Sequence, residues 1–238
     1  MSHFRRNLFN ELRLSQMEME SSHYLDLTSL LALMPDSEKY AKIVSDHTAI
    51  FMFAKGSSHN HQAWEGGYLD HVVETMNIAC QLYQTLDSAR KLPFKLHEAL
   101  EVMFLHDLEK PFKDHQDAPT PLGVSWKQYC DDAEDAFWEE RKEQVKKEQP
   151  LHFHHPGIDR KAIRRQFRTD VIEKLGILLA DEQWNALKYV EGVPDSEYTP
   201  GERTMGGLAA FCHCCDMLSA RLWHDKGHDV RGGSISWE

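Results

Sequence analysis

The sequence predicts an all-α protein. Apolar residues recur at three- and four-residue intervals in several segments, which is the pattern of helices that bury one face. No run of four to eight alternating or β-branched residues, the signature of a strand, stands out in the sequence. The glycine-rich phosphate loops G-x-G-x-x-G and G-x-x-x-x-G-K-[ST], which mark common α/β nucleotide-binding folds, are also missing from the sequence. We therefore expect a helical bundle of about eight helices.

The expected helices follow one another along the chain, separated by glycine and proline breaks. In the first half they lie at residues 37–51, after Gly66-Gly67 as far as Leu86, and through Leu96 to Phe104. Pro111 should end the last of these, because proline disfavours the helical conformation of the residue before it. Residues 112–125 are predicted to form a loop. Further helices are expected at residues 126–148, through Ile163 to Leu175, at 181–190 and at about 204–224.

A length of 238 residues suits one large domain, here residues 1–238, with two additions. Residues 1–35 are expected to be an N-terminal extension. Residues 112–178 are expected to be an inserted segment of loop and helices. This insert contains a highly charged helix, which is typical of a solvated surface with i,i+4 ion pairs. It also contains the most concentrated positive charge of the sequence: Arg160, Lys161, Arg164, Arg165 and Arg168.

Composition excludes several classes of protein. A hydrophobic content of 41% argues against intrinsic disorder, and a net charge of −11 gives no support to a generic DNA-coating protein. Five cysteines, three of them crowded at residues 212–215, do not form the pattern of a disulfide framework. The N-terminus leads into no signal-peptide core, and the apolar stretch at residues 30–34 is too short to span a bilayer. We expect a cytoplasmic protein with no membrane partner.

Three places put metal-ligating residue types at helix positions. His71 lies just inside the helix that follows Gly66-Gly67, and the pair His106-Asp107 ends an apolar helix. Asp216 lies in the middle of the last long helix, between alanines and beside its apolar stripe. A carboxylate there is costly to bury unless it is paired or bound to a metal, although a solvated aspartate is the alternative.

These three places resemble the HD superfamily of metal-dependent phosphohydrolases. Residues 66–71, GGYLDH, are similar to the family opening G-G-L-L-E-H, and residues 105–111, LHDLEKP, resemble the signature H-D-[IL]-G-K-P. Residues 213–219, HCCDMLS, are similar to the family helix H-x-x-D-M-L-A. The order H…HD…D is complete. The resemblance covers about residues 55–110 and 181–222, and it leaves out the N-terminal extension and both helices of the insert.

The resemblance implies an HD-domain helical bundle with one divalent metal ion (Mn, Co, Fe, Ni, Mg or Zn). The ligands would be His71, His106, Asp107 and Asp216, with open positions for water and a phosphate oxygen. Such an ion lowers the pKa of bound water and polarises the phosphorus centre. Members with two metals carry extra histidines where this chain has residues 189–192, YVEG, so one metal is favoured. The family usually has glycine where Glu109 stands.

The resemblance and the charge pattern together suggest further site residues. The catalytic candidates are Asp107, Lys110, Glu74 and His61. Lys110 matches the family lysine and would neutralise charge on the phosphoryl group. Glu74, one turn after His71, is an acid–base candidate or a support for a ligand, with an exposed helix carboxylate as the alternative. His61 is a substrate contact or part of a polar loop.

The substrate-binding candidates are basic residues or histidines in or next to the insert. They are Lys110, His115, Arg160, Arg164, Arg165 and Arg168. The arginines would hold the polyphosphate of a nucleotide or the backbone of a single-stranded nucleic acid. The alternative is a solvated basic face that balances an acidic protein.

The expected function is therefore the hydrolysis of a nucleotide phosphomonoester or phosphoanhydride by a metal-activated water. The acidic net charge favours a small nucleotide over a long nucleic acid, while a phosphodiesterase or nuclease acting on single strands stays open. Two other classes also stay open. An HD-type di-iron oxygenase would require two metals and O₂, and a nucleotide-binding regulatory module would bind without turnover. An oligomeric assembly also stays open.

Overall fold

The computed structural model describes residues 24–57, 62–145, 160–194, 197 and 204–222, and the regular secondary structure of these residues is almost entirely helical. The helices in these ranges are α1 (Leu27–Leu31), α2 (Ser37–Asp46), α3 (Thr48–Phe53), α4 (Gly67–Ala89), α5 (Leu96–Leu105), α6 (Lys110–Asp114), α7 (Trp126–Val145), α8 (Arg160–Lys174), α9 (Asp181–Tyr189) and α10 (Gly207–Leu222). Extended pairing in the same ranges is limited to one isolated bridge between Pro119 and Ser125. The predicted all-α fold class is confirmed.

The long helix α4 lies at the centre of the bundle. It packs against α5 and α10, which also contact each other and α9, while α1 and α3 cover another part of its surface. Its side chains Val72 and Met76 are fully buried, as are Leu100 and Met103 of α5. The apolar stripes that predicted these helices are therefore the surfaces through which they pack.

The helix predicted from residue 37 towards residue 51 is two helices, because the chain leaves the helical conformation at His47 (φ −126°, ψ 26°). The Thr48 hydroxyl donates hydrogen bonds to the carbonyls of Val44 and Ser45, both at 3.0 Å. A threonine hydroxyl that donates to helix carbonyls competes with the backbone N–H groups for those acceptors. The His47 ring also packs edge-on against Phe112, with ring centroids 5.1 Å apart.

The expected role of Pro111 is wrong. Helix α5 ends earlier, at Leu105, and Pro111 lies in the first turn of the next short helix, α6. Residues 112–114, predicted as part of a loop, are therefore helical. Proline is tolerated in a first helical turn because the N–H that it lacks has no partner there. The change of direction falls instead on residues 106–109, which form a turn between the two helices.

The described residues of the N-terminal extension and of the insert both pack onto the helical bundle. Leu30 and Leu31 of the expected N-terminal extension are buried, and the Asn77 side chain of α4 binds both the backbone N–H and the carbonyl of Leu25. In the insert, the Arg168 guanidinium of α8 donates a hydrogen bond to the His106 carbonyl and lies 3.6 Å from Glu109 Oε2. These contacts place the basic helix beside the turn at residues 106–109.

None of the helices in the described part of the chain combines the length and the apolar character needed to cross a membrane.

Candidate metal centre

Local sequence explains how the first ligand candidate is positioned. Gly66 has a φ of 82°, in the left-handed region that favours glycine, and Gly67 begins α4 directly against Gln62. A Cβ atom on Gly67 would collide with the Gln62 carbonyl, so the close approach requires glycine. The pair thus sets the start of α4, and His71 follows one turn later with its side chain fully buried.

The structure brings His71, His106, Asp107 and Asp216 together from three separate parts of the chain. The two histidine Nε2 atoms are 3.2 Å apart. Asp216 Oδ1 lies 3.1 Å from Nε2 of His71 and 3.5 Å from Nε2 of His106. Asp107 Oδ2 lies 3.6 Å and 3.2 Å from the same two nitrogen atoms. The Asp216 side chain is 20% exposed, whereas the other three are almost completely buried, so solvent reaches the cluster from the α10 side.

The facing atoms of this cluster are electron-rich. His106 Nδ1 lies 2.7 Å from the Met103 carbonyl oxygen, which can only accept a hydrogen bond, so this nitrogen carries the proton. In the neutral ring, Nε2 is then an unprotonated acceptor. His71 Nδ1 lies 3.1 Å from Ser219 Oγ. Two imidazole nitrogens and two carboxylate oxygens thus converge, an arrangement that a bound proton or metal cation would stabilise. The buried group His71, His106 and Asp107 can hold a metal ion.

The electrostatics of the site favour ionised carboxylates and bound positive charge. Burial opposes protonation of His106, but the Asp107 and Asp216 carboxylates outweigh it and raise the pKa of the ring to about 10. Burial lowers the pKa of His71. Burial also opposes ionisation of Asp107, yet Lys110 and His106 hold the pKa of that carboxyl well below its ordinary value. The Lys110 ammonium pairs directly with Asp107 Oδ2.

A buried chain of hydrogen bonds reaches the Nδ1 atom of His71, on the other side of the ring from the Nε2 atom that faces the cluster. The Ser219 hydroxyl donates to Glu74 Oε2, which leaves its oxygen to accept from His71 Nδ1. Gln62 Nε2 donates to Glu74 Oε2 at 2.8 Å and lies 3.2 Å from Ser219 Oγ. Glu74 is only 5% exposed, so the alternative of an exposed helix carboxylate does not apply. It acts on His71 through one hydroxyl group.

Sequence reasoning missed the roles of Ser219 and Gln62. Ser219 lies three residues after Asp216, on the same side of α10, and it stands where the resembling family motif has alanine. That difference is the one local signal that could have identified it. Gln62 is separated from Ser219 by 157 positions, and no sequence pattern connects them.

We expect Ser219→Ala to lower the affinity for a divalent metal ion by about 10- to 100-fold, because the residue that orients the candidate ligand His71 is lost. A competition titration against a chelating indicator measures this. Ser88→Ala is the matched control, since Ser88 is an exposed serine of α4 whose hydroxyl donates to the Thr85 carbonyl of its own helix. Equal affinity of the two variants would show that His71 does not depend on Ser219.

A cationic cleft of about 390 Å³ opens beside Lys110. Its lining residues are Phe53, Lys55, Gly56, Ser57, Lys110, Lys113, Asp114 and His115. Nε2 of His115 is buried and forms no hydrogen bond within the described part of the chain. The cleft therefore joins two predicted substrate residues, Lys110 and His115, with two lysines that sequence reasoning missed.

The predicted arginines belong to a different pocket. Arg164, Arg165 and Arg168 line a pocket with Lys188 of α9, while Arg160 is not among its lining residues. Neither Lys110 nor His115 lines it. The predicted substrate residues other than Arg160 are thus divided between two pockets, and His61 lies outside the described residues.

Glu109, at the position where the resembling family usually has glycine, also lies at this second pocket. It is 2% exposed, and its Oε2 atom is 3.6 Å from the Arg168 guanidinium. The same guanidinium donates a hydrogen bond to the backbone carbonyl of His106. Glu109 is therefore charge-compensated by a residue of the insert.

The fold and the site define an all-α protein with a buried histidine–aspartate group that can hold a metal ion. The chain matches no family model, no curated protein and no solved structure.

Proposed function

We propose that the chain is an HD-type metal-dependent phosphohydrolase that cleaves a phosphomonoester or phosphoanhydride of a nucleotide. One observation carries the proposal. The four residues that the HD resemblance implies as ligands come from three distant segments. The Nε2 atom of each histidine lies 3.1–3.6 Å from the donor atoms of the other three residues. Such convergence has a chemical reason when a cation binds between them.

The donor set fits a single divalent ion. Imidazole nitrogen and carboxylate oxygen suit Mn, Fe, Co, Ni, Zn or Mg. When bound, the ion supplies the positive charge that activates water and polarises the phosphorus centre. The chain itself orients His71 through Ser219 and Glu74, and orients His106 through the Met103 carbonyl.

The cationic cleft provides the place for the phosphate. Lys110 contacts Asp107 and also lines the cleft, so it connects the metal centre with the substrate position. Its ammonium group would neutralise negative charge that builds up on the phosphoryl oxygens. Lys55 and Lys113 add positive charge around the same space. A volume of about 390 Å³ falls within the range of small-molecule sites, about 300–1,000 Å³, and favours a nucleotide over a long polymer.

Metal analysis combined with a phosphate-release screen tests the proposal. The full chain is purified, its metal content per chain is measured, and nucleoside mono-, di- and triphosphates are assayed with each divalent metal. We expect one metal ion per chain and metal-dependent release of phosphate or pyrophosphate from one class of nucleotide.

Three results would contradict the proposal and favour another class. Two metals per chain with O₂ consumption would indicate a di-iron oxygenase. Nucleotide binding without turnover in every metal would indicate a regulatory module. Faster cleavage of single-stranded nucleic acid than of any nucleotide would indicate a nuclease.

A further inference from the structure

Arg168 differs from the other cationic residues of α8 in its burial. It is only 8% exposed, whereas every other lysine and arginine of this helix is at least partly exposed. A buried guanidinium is costly unless charged or polar groups compensate it. The contacts that Arg168 makes therefore indicate what the buried side chain does.

Both contacts are made to one turn, residues 106–109, which joins α5 to α6. Nη1 of Arg168 donates a hydrogen bond to the backbone carbonyl of His106, where α5 ends and helix carbonyls lack intrahelical partners. The same nitrogen lies 3.6 Å from Glu109 Oε2. Asp107 lies between these two contacts in the chain. One side chain of the insert thus contacts both ends of the segment that carries two of the four candidate ligands.

The part of α8 that carries Arg168 is itself anchored. The preceding residue, Phe167, is fully buried, and its ring centroid lies 5.0 Å from that of Trp126 in α7. The Tyr129 hydroxyl of α7 donates a hydrogen bond to Asp170 Oδ2 at 2.6 Å. These contacts lie on both sides of Arg168 in the chain, so the guanidinium extends from a fixed stretch of helix. A side chain supported in this way can hold its partners in a defined geometry.

The charge of Arg168 alone gives no advantage to a metal site, because a guanidinium repels a nearby metal cation. The Glu109 carboxylate offsets that charge, and it stands where the resembling family usually has glycine. Position and charge therefore predict opposite results when the Arg168 side chain is lost. Metal binding becomes weaker if this side chain holds the ligands in place, and tighter if only its charge acts.

We propose that Arg168 is a positioning residue of the metal centre. Its hydrogen bond to the His106 carbonyl fixes the turn, so that the Nε2 atom of that histidine and Oδ2 of Asp107 keep facing the other two candidate ligands. The insert then has a defined role, since α8 holds the metal ligands from outside the part of the chain that resembles the HD family. The proposal rests on the metal-binding part of the proposed function and is independent of the reaction.

Titration of the metal-free full chain with Co²⁺ tests the proposal, because the visible absorption of the bound ion reports both its affinity and its ligand geometry. We expect Arg168→Met to weaken Co²⁺ binding by about 10-fold and to change the absorption spectrum, since a group that orients ligands is lost. Methionine is unbranched and flexible, so it can fill the vacated space. The matched control, Arg221→Met, makes the same change at an exposed position of α10 and should leave affinity and spectrum unchanged.

A double variant separates the carbonyl contact from the charge of Glu109. Arg168→Met alone leaves the buried Glu109 carboxylate uncompensated, which can destabilise the fold. Adding Glu109→Gln removes this charge and keeps a side chain of similar size. We expect the double variant to bind Co²⁺ about 10-fold more weakly than wild type and to keep the altered spectrum, because the His106 carbonyl still lacks its donor.

Several outcomes would overturn the proposal. Unchanged or tighter Co²⁺ binding by Arg168→Met, or an unchanged spectrum, would mean that the ligand geometry does not depend on this side chain. Wild-type affinity in the double variant would mean that the uncompensated Glu109 carboxylate caused the loss. Wild type that binds no Co²⁺ would overturn the proposal together with the proposed function. Wild type that binds Co²⁺ but releases no phosphate with any metal would contradict the proposed hydrolysis alone.

Discussion

Replacement of His106 by glutamine is expected to lower the affinity for the divalent ion by more than about 100-fold and to abolish phosphate release. The loss of a group that merely supports a ligand already costs about 10- to 100-fold in affinity, and here a donor atom itself is removed. Nε2 of His106 is close to all three of the other donor atoms, at 3.2–3.5 Å. Glutamine keeps a polar side chain of similar size in this buried position, which limits the effect on folding.

The matched control is His97→Gln, because His97 lies nine positions earlier in the chain, in the first turn of the helix α5 that His106 follows, and is partly exposed. Thermal unfolding of both variants, with metal removed by a chelator, separates folding from metal binding. We expect the two melting temperatures to be similar, and only the His97 variant to gain stability when metal is added. A His106 variant that keeps wild-type metal affinity would show that the cluster is not the metal site.

The parts of the site that the sequence predicts are those carried by local patterns. His71 follows a glycine pair that the start of α4 requires, and His106 follows an apolar helix. Asp216 lies beside the stripe that packs α10 against α4. Each of these positions is visible within one helix. The structure then brings the three places together, as the resemblance to a metal-binding family implies they should be.

The parts that the sequence does not predict depend on contacts between distant residues. The chain from His71 to Ser219 joins positions 148 residues apart, and no local period marks it. Glu109 stands where the resembling motif usually has glycine, and only the structure shows that the Arg168 guanidinium lies 3.6 Å from its carboxylate. Charge alone likewise could not show that Lys110 and the arginines of α8 line different pockets. The break at His47 has the same origin, since it comes with a ring contact to Phe112 of another helix.

Lys110→Gln is expected to separate metal binding from catalysis. The Lys110 ammonium now pairs with Asp107 Oδ2, an atom that a metal ion would also use, so its removal should leave metal affinity equal to or higher than that of the wild type. Phosphate release should fall by about 10²- to 10³-fold in kcat, the usual loss when one donor that stabilises developing charge is removed. His106→Gln, in contrast, should lose both properties.

Steady-state kinetics with saturating metal, together with a metal titration, measure the two effects of Lys110→Gln independently. Lys127→Gln, a change of the same type at an exposed position of α7, serves as the control for net charge. A loss confined to KM would mean that Lys110 binds the ground state and the transition state equally, which contradicts its role in neutralising phosphoryl charge. A parallel loss of metal affinity would mean that the lysine holds Asp107 in place instead. The predicted pattern, a lower kcat with retained metal, is the one that a lysine shared between the metal centre and a phosphate cleft should produce.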